Sequence, residues 1–331
     1  MLVLGVETSC DETSVGIVRN GREILSNIIL SQEIHEIYGG VVPEIASRIH
    51  ITELVGITDR ALEKAGVKLE DIDGLAVTHG PGLVGCLLVG LSFVKSVHLA
   101  KKIPFFGVNH LEGHIFAGKL DHKDLGTPHI ALVASGGHSN LYLVEDWGRY
   151  KLLGATRDDA PGEAFDKVAK LLGLGYPGGP AIEDAAASGN KTFVHFPRAH
   201  MGKESFEFSF SCLKTAVAIY LQEKNPEFIQ QHLADLAASF QEAIVEILAI
   251  KAIKAADKLG IDRISVSGGV ARNKRLRDIF EERKSRNLKV FFPGPELCTD
   301  NGAMIAACGA FHLEKGETSD IDLDAIPYLE L

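Results

Sequence analysis

Apart from Gly5 and Gly16, positions 2–6 and 15–18 are hydrophobic, on either side of the polar turn Ser9-Cys10-Asp11-Glu12-Thr13. Two buried strands around a functional tip are predicted, with a third strand over 24–30. From 30 to 66 the apolar spacing turns helical, interrupted by Tyr38-Gly39-Gly40 and Pro43, which predicts two helices joined by a loop. Residues 74–78 read as a buried strand entering the turn His79-Gly80-Pro81-Gly82, and 83–100 as a strongly apolar helix. A short strand over 104–108 runs straight into a helix opened by Asn109, a good N-cap, that carries His110 and His114.

The pattern then repeats. Residues 130–144 form strand, turn Ser135-Gly136-Gly137-His138-Ser139 and strand, and 263–267 lead through Gly268-Gly269 into a helix from Arg272, echoing 75–100. Between them lies a helical insertion, 162–259, with the turn Tyr176-Pro177-Gly178-Gly179-Pro180 and a polar stretch, 193–211, placed to shape a substrate site. A strand over 290–292 and a helix opened by Asp300-Asn301-Gly302 follow, then an acidic tail that packs along the surface. Alternating strands and helices with glycine turns at strand ends predict an α/β fold of two similar lobes with a ligand cleft between them. The N-terminal lobe covers 1–107 joined by the 311–331 tail; the C-terminal lobe covers 108–310.

Composition narrows the class. A length of 331 residues with 46% hydrophobic content suits a two-domain globular enzyme. Thirty-four basic against 44 acidic residues leave a formal charge of −10, so nucleic-acid contact needs a local basic patch or a partner protein. One stripe qualifies: Arg272, Lys274, Arg275, Arg277, Arg283, Lys284, Arg286 and Lys289, which reads equally as a solvated helix face. Five cysteines without CxxC spacing read as reduced thiols. With no signal-like N-terminus and no apolar run judged long enough to span a bilayer, a cytoplasmic protein without membrane contact is expected.

On a helix, residues four apart share a face whereas residue i+2 points away, so His110 and His114 can meet one ion and Glu112 cannot serve beside them as it would in an HExxH protease. Two ordinary surface histidines are the competing reading. Asp300, at a strand-to-helix turn, fits a third ligand, although an Asp there is commonly just a cap. Two imidazoles and a carboxylate suit Zn²⁺, Fe²⁺ or Mn²⁺. The turns at Ser135-Gly136-Gly137 and Ser267-Gly268-Gly269 expose backbone N–H groups suited to phosphate oxygens, and no GxxxxGK[ST] loop is present. Asp11 and Glu12 sit at the first hairpin tip, where a carboxylate can orient a nucleophile or simply solvate a turn.

The stretches GVETSCDETSVGIV, GGVVPEIASRIHI, THGPGLVGCLLVG, NHLEGH, VASGGHS, DDAPGEAFDKVAKLLGLGYPGGPAIE, FSFSCLKTAV, SGGVARN and CTDNGAMIA follow one another from about residue 4 to about residue 310. In that order they closely resemble the tRNA N6-threonylcarbamoyladenosine transferase family, in its bacterial TsaD branch. The resemblance implies the duplicated actin/Hsp70/sugar-kinase (ASKHA) fold with an interlobe nucleotide cleft. It implies that His110, His114 and Asp300 hold one Fe²⁺ or Zn²⁺. Val133, Ala134, Ser135, Gly136, Gly137, Asp166, Gly179 and Asn273 would contact threonylcarbamoyl-AMP, with Glu183 near the ribose; Asp166 and Glu183 would accept from ribose hydroxyls, and 267–273 would flank the adenine.

The implied reaction moves the threonylcarbamoyl group to N6 of the adenosine just 3′ of the anticodon, position 37, in tRNAs reading codons that begin with A, releasing AMP. Asp11 is the candidate for accepting or orienting the N6 proton. Implied partners are the tRNA anticodon loop, TsaB and TsaE, with TsaC or a Sua5-type synthase supplying the substrate; the apolar helices within 32–66 are a docking place for TsaB. Two alternatives stay open: an ATP-dependent phospho- or carbamoyl-transferase acting on a small molecule, and a non-catalytic nucleotide-binding scaffold.

Overall fold

A computed structural model describes residues 1–198, 202 and 205–331, so part of the 193–211 stretch lies outside the described residues. In chain order the elements are β1 (Leu2–Glu7), β2 (Glu12–Arg19), β3 (Glu23–Ser31), α1 (Pro43–Ala65), β4 (Gly74–Gly80), α2 (Val84–Lys101), β5 (Phe105–Asn109) and α3 (His110–Asp121). They continue with β6 (His129–Ala134), β7 (Ser139–Asp146), β8 (Arg149–Ala155), α4 (Pro161–Leu171), α5 (Gly178–Ala186), α6 (Ser211–Gln222), α7 (Pro226–Gln231) and α8 (Leu233–Leu259). The last are β9 (Arg263–Ser267), α9 (Lys274–Arg283), β10 (Lys289–Phe291), α10 (Pro295–Cys298) and α11 (Gly302–Glu314).

Two five-stranded sheets result, ordered β3-β2-β1-β4-β5 and β8-β7-β6-β9-β10. In each, the first three strands are antiparallel and the last two join parallel to the hairpin's inner strand. The internal repeat read from the pattern is thus a repeat of topology.

The chain divides into two compact units, Met1–Lys123 with Pro293–Leu331, and Asp124–Phe292. The pattern drew its division at 107/108 and 310/311. The difference comes from two helices: α11 packs on β1, β2, β4, β5 and α3, so both helices stay with the first sheet.

In unit 1 every residue of β1 is buried, as expected for a strand covered on both faces. One face is covered by α1 and α2 through a core that includes Leu4, Leu54, Ile57, Leu91 and Phe105. The other face receives α11, whose alanine- and glycine-rich stretch lets the backbones approach closely. A Cβ on Gly5 would lie 2.3 Å from the Ala306 nitrogen, and one on Gly16 2.2 Å from that of Ala303.

Local differences from the pattern have local causes. Residues Glu33–Tyr38 form only a 3₁₀ turn, because Gly39, at φ 66°, ends it and Pro43 starts α1 afresh. Strand β8 was not anticipated: apart from Gly154 its residues are exposed or half-buried, so no apolar alternation marks them. The helix expected from Arg272 begins at Lys274, after a 3₁₀ turn over Gly269–Arg272, with the Asn273 side chain accepting from the Leu276 N–H. By length and composition α2 is apolar enough to cross a bilayer, the one such helix among the described residues; its Leu87, Leu91 and Val94 face is buried in unit 1.

Candidate metal centre and glycine turns

The donors of His110, His114 and Asp300 meet in unit 1. Asn109 caps α3, its side chain accepting from the N–H groups of Leu111 and Glu112, and this fixes where the helix starts and so where both rings point. The rings lie edge to face with centroids 4.7 Å apart. Asp300 Oδ1 sits 3.1 Å from His114 Nε2 and 3.5 Å from His110 Nε2. Ligands held about 2.0–2.1 Å from one tetrahedral ion stand roughly 3.3 Å apart, so these separations fit a shared cation. The capping alternative for Asp300 does not hold, because Asn301 caps α11 by accepting from the Met304 N–H.

A residue absent from the sequence candidates completes the surroundings. Glu7, fully buried at the end of β1, accepts from the Ser9 N–H at 2.6 Å and the Thr78 hydroxyl at 2.6 Å, and its Oε2 lies 3.0 Å from His110 Nδ1. A carboxylate on the outer nitrogen fixes the tautomer that turns Nε2 toward Asp300. Burial disfavours the charged His110 ring, but Asp300 and Glu7 outweigh it and push the ring up to about 9. Burial likewise opposes the Glu7 charge, and His110 overcomes it, drawing Glu7 below the usual carboxylate range. The signal for Glu7 in sequence was a lone acid ending an apolar strand.

Asp11 lies in the β1–β2 turn, where its carbonyl accepts from the Gln32 N–H at 3.2 Å. The buried His50 of α1 props the same turn, with Nε2 2.9 Å from the Cys10 carbonyl oxygen and Nδ1 2.7 Å from the Thr13 hydroxyl. Burial, then Asp11 and Asp300, push Glu12 well above its usual range, and Cys10 rises for the same causes. The turn and the triad therefore share one electrostatic environment.

The other candidates gather in unit 2. Val133 and Ala134 end the buried β6, and Gly268, at φ 90°, packs so tightly that a Cβ there would lie 2.3 Å from the Ala134 carbonyl oxygen. The following turn closes on itself, the Ser135 hydroxyl accepting from the His138 N–H at 3.1 Å. The start of α4 donates to it from Gly162 and Glu163. A Cβ on Gly136 or Gly137 would meet nothing within 4 Å, and the same holds at Gly179. Asp166 accepts from the Gly178 N–H at 2.7 Å, tying α4 to the start of α5. Glu183 accepts from the Lys274 N–H at 2.8 Å, and the buried Asn273 amide donates to Gln241 at 2.7 Å. Both therefore stand at the head of α9.

Half of the basic stripe is held inside unit 2, while Arg272, Lys274, Arg286 and Lys289 are exposed. Arg275, with 14% of its side chain exposed, pairs with Glu242 and Glu282; Arg283 pairs with Glu246, Lys284 with Glu281, and Arg277 lies over the Phe292 ring.

Two sheets of one topology, each with glycine turns at its strand ends, define the class: a duplicated α/β protein of the actin, Hsp70 and sugar-kinase type. Solved structures agree on the fold. HypF from T. kodakarensis is 15% identical with a TM-score of 0.63 over 96% of this chain and 49% of its own. The activator of 2-hydroxyisocaproyl-CoA dehydratase from Clostridium difficile, solved with ADPNP, is 15% identical with a TM-score of 0.56 over 97% and 99%. Residues 23–307 match the family model TsaD, tRNA N6-adenosine threonylcarbamoyltransferase. A relative of that name from Syntrophotalea carbinolica is 53% identical over 98% of this chain and 95% of its own. The chain belongs to the TsaD family and is a transferase acting in tRNA modification.

Proposed function

We propose that this protein transfers the threonylcarbamoyl group of threonylcarbamoyl-AMP to N6 of adenosine 37 in tRNAs reading codons that begin with A. The new bond joins N6 to the carbamoyl carbon; the bond from that carbon to the phosphate oxygen breaks, AMP leaves and N6 loses a proton. The observation that carries the reading is the convergence of His110, His114 and Asp300, backed by Glu7, in a chain of this family.

A single Fe²⁺ or Zn²⁺ held by these three residues would supply Lewis-acid polarisation and a template for the acyl group. Glu7 keeps His110 in the tautomer that presents Nε2. Asp11, at the tip that His50 props, accepts or orients the N6 proton. In unit 2 the amides of Gly136 and Gly137, with no side chain before them, suit the phosphate that leaves as AMP. Val133, Ala134, Ser135 and Gly179 shape the same site, Asp166 and Glu183 accept from the ribose hydroxyls, and Asn273 flanks the adenine. Position 37 lies in a loop, so its base is presented without flipping from a regular duplex.

Partners complete the scheme: TsaB and TsaE beside this chain, and TsaC or a Sua5-type synthase as the source of threonylcarbamoyl-AMP. For TsaB we assign the groove of about 470 Å³ between α1 and α2, lined by Leu54, Leu88, Val89 and Phe93 and rimmed by the exposed Ile51 and Val55. Arg275 and Arg283 are held by acids of unit 2, which leaves the exposed Arg272, Lys274, Arg286 and Lys289 of the basic stripe, together with the partners, for tRNA contact.

The test is mass spectrometry of tRNA nucleosides after incubation with threonylcarbamoyl-AMP, with and without TsaB and TsaE. N6-threonylcarbamoyladenosine at position 37 is the expected product. AMP release with unmodified tRNA in the complete mixture would point to transfer onto a small molecule instead.

A further inference from the structure

Behind the His110 face of α3 lies a second cluster of the same design. Cys308 and His312 are four apart on α11 and so share a helix face, and Glu112 reaches them from α3. Their ligand atoms all lie within 4.8 Å of one another; Glu112 and Cys308 are buried and His312 is half-buried. Glu112 Oε1 and Oε2 are 3.1 and 3.2 Å from His312 Nε2, close to the ligand-to-ligand edge of a tetrahedral zinc site. The two clusters mirror one another. In one, α3 supplies an i, i+4 pair and the residue before the α11 cap a carboxylate; in the other, α11 supplies the pair and α3 the carboxylate.

An independent feature points to a ligand. His312 Nδ1 is 2.5 Å from Glu317 Oε2, and the ring is stacked on Phe106 at 4.2 Å and 9° between planes. A carboxylate on the outer nitrogen and a packed ring are how proteins aim a metal-binding imidazole and fix its tautomer, here with Nε2 toward Glu112 and Cys308. Thiolate, carboxylate and imidazole form a donor set suited to Zn²⁺, and with that ion the buried group is neutral.

We propose that Glu112, Cys308 and His312 form a second Zn²⁺ site that clamps α3 to α11, with a solvent oxygen taking the fourth position. Binding forms bonds from the ion to Sγ, Nε2 and a carboxylate oxygen, and the protons on Sγ and Nε2 pass to solvent. The clamp holds the two helices on which His110, His114 and Asp300 depend. It does not rest on the metal reading of those three residues.

Metal-free full-length protein is titrated with Zn²⁺ alone, and bound ions are counted by native mass spectrometry beside His110→Ala, Cys308→Ser and Glu317→Gln. Two ions per chain are expected, one in each of His110→Ala and Cys308→Ser, and none in the double variant. Glu317→Gln keeps all three ligands and is expected to weaken the ion that Cys308→Ser loses by about 10- to 100-fold. With Co²⁺ as the probe, a thiolate charge-transfer band should persist in His110→Ala and vanish in Cys308→Ser. Ion number and Co²⁺ spectrum unchanged by Cys308→Ser overturn the proposal. Should Cys308→Ser fail to fold in circular dichroism, Glu317→Gln decides: unchanged Zn²⁺ affinity overturns the site and weakened affinity supports it. Loss of an ion in Cys308→Ser but none in His110→Ala would keep this site and reject the other.

Discussion

His110 shows how one side chain can have its protonation and its direction set by different neighbours. Glu7 holds Nδ1 and Asp300 faces Nε2, and together they push the ring up to about 9 against its burial. A metal ligand must be neutral, so an incoming ion competes with a proton. Apparent metal affinity is therefore expected to rise about tenfold per pH unit from roughly 7 to the ring's value near 9, then level off, in titrations at fixed ionic strength. For the metal-free fold the sign reverses. A raised His contributes stability that is complete below its unfolded value of 6.5 and is lost as pH climbs through about 9, which urea melts of the metal-free chain would show as a declining midpoint. Glu7→Gln keeps the shape but removes the charge from His110 Nδ1. It should cost about 10- to 100-fold in metal affinity, and threonylcarbamoyl transfer with it; unchanged affinity would mean that packing alone orients the ring.

Among the elements, α3 was the most legible, because its chemistry is local: a capping Asn and an i, i+4 pair need only helical geometry to share a face. Asp300 was harder to read, since capping and ligation look alike in sequence; in the structure the cap falls to Asn301. Glu7 and the Glu112, Cys308 and His312 cluster were not identified from sequence, because strand ends and helix faces meet there across long stretches of chain. The seat of α11 on β1 and β2 depends on backbone contact at glycine. Gly16→Ala would set a methyl 2.2 Å from the Ala303 nitrogen and, since Ala303 lies in the first turn of α11, is expected to destabilise the chain by roughly 3 kcal/mol, read as a lower urea midpoint at constant slope.

At the scale of the molecule, unit 1 is made from both ends of the chain. Its ends meet where unit 2 departs, the Asp121 carboxylate accepting from the Gly294 N–H at 2.7 Å. A fusion of 1–123 to 293–331 through a few flexible residues is therefore expected to fold and to bind metal through His110, His114 and Asp300. Residues 1–123 alone should do neither, because the sheet then lacks the α11 cover and the third donor. Metal titration and near-ultraviolet circular dichroism of the two proteins check this. Retained metal binding by 1–123 alone would show that Asp300 is dispensable.

Patterning by itself determined the strands other than β8, the glycine turns, the repeat and the histidine helix, because each follows from periodicity or from residues within a turn of one another. Family membership was legible for a similar reason: its motifs are contiguous and keep their order. What the tertiary structure alone decided is which helices belong to which sheet, which carboxylate stands behind His110, and that Arg275 and Arg283 of α9 are paired internally. Those outcomes depend on groups brought together from distant parts of the chain, and on the competition between burial and charge that begins once they meet.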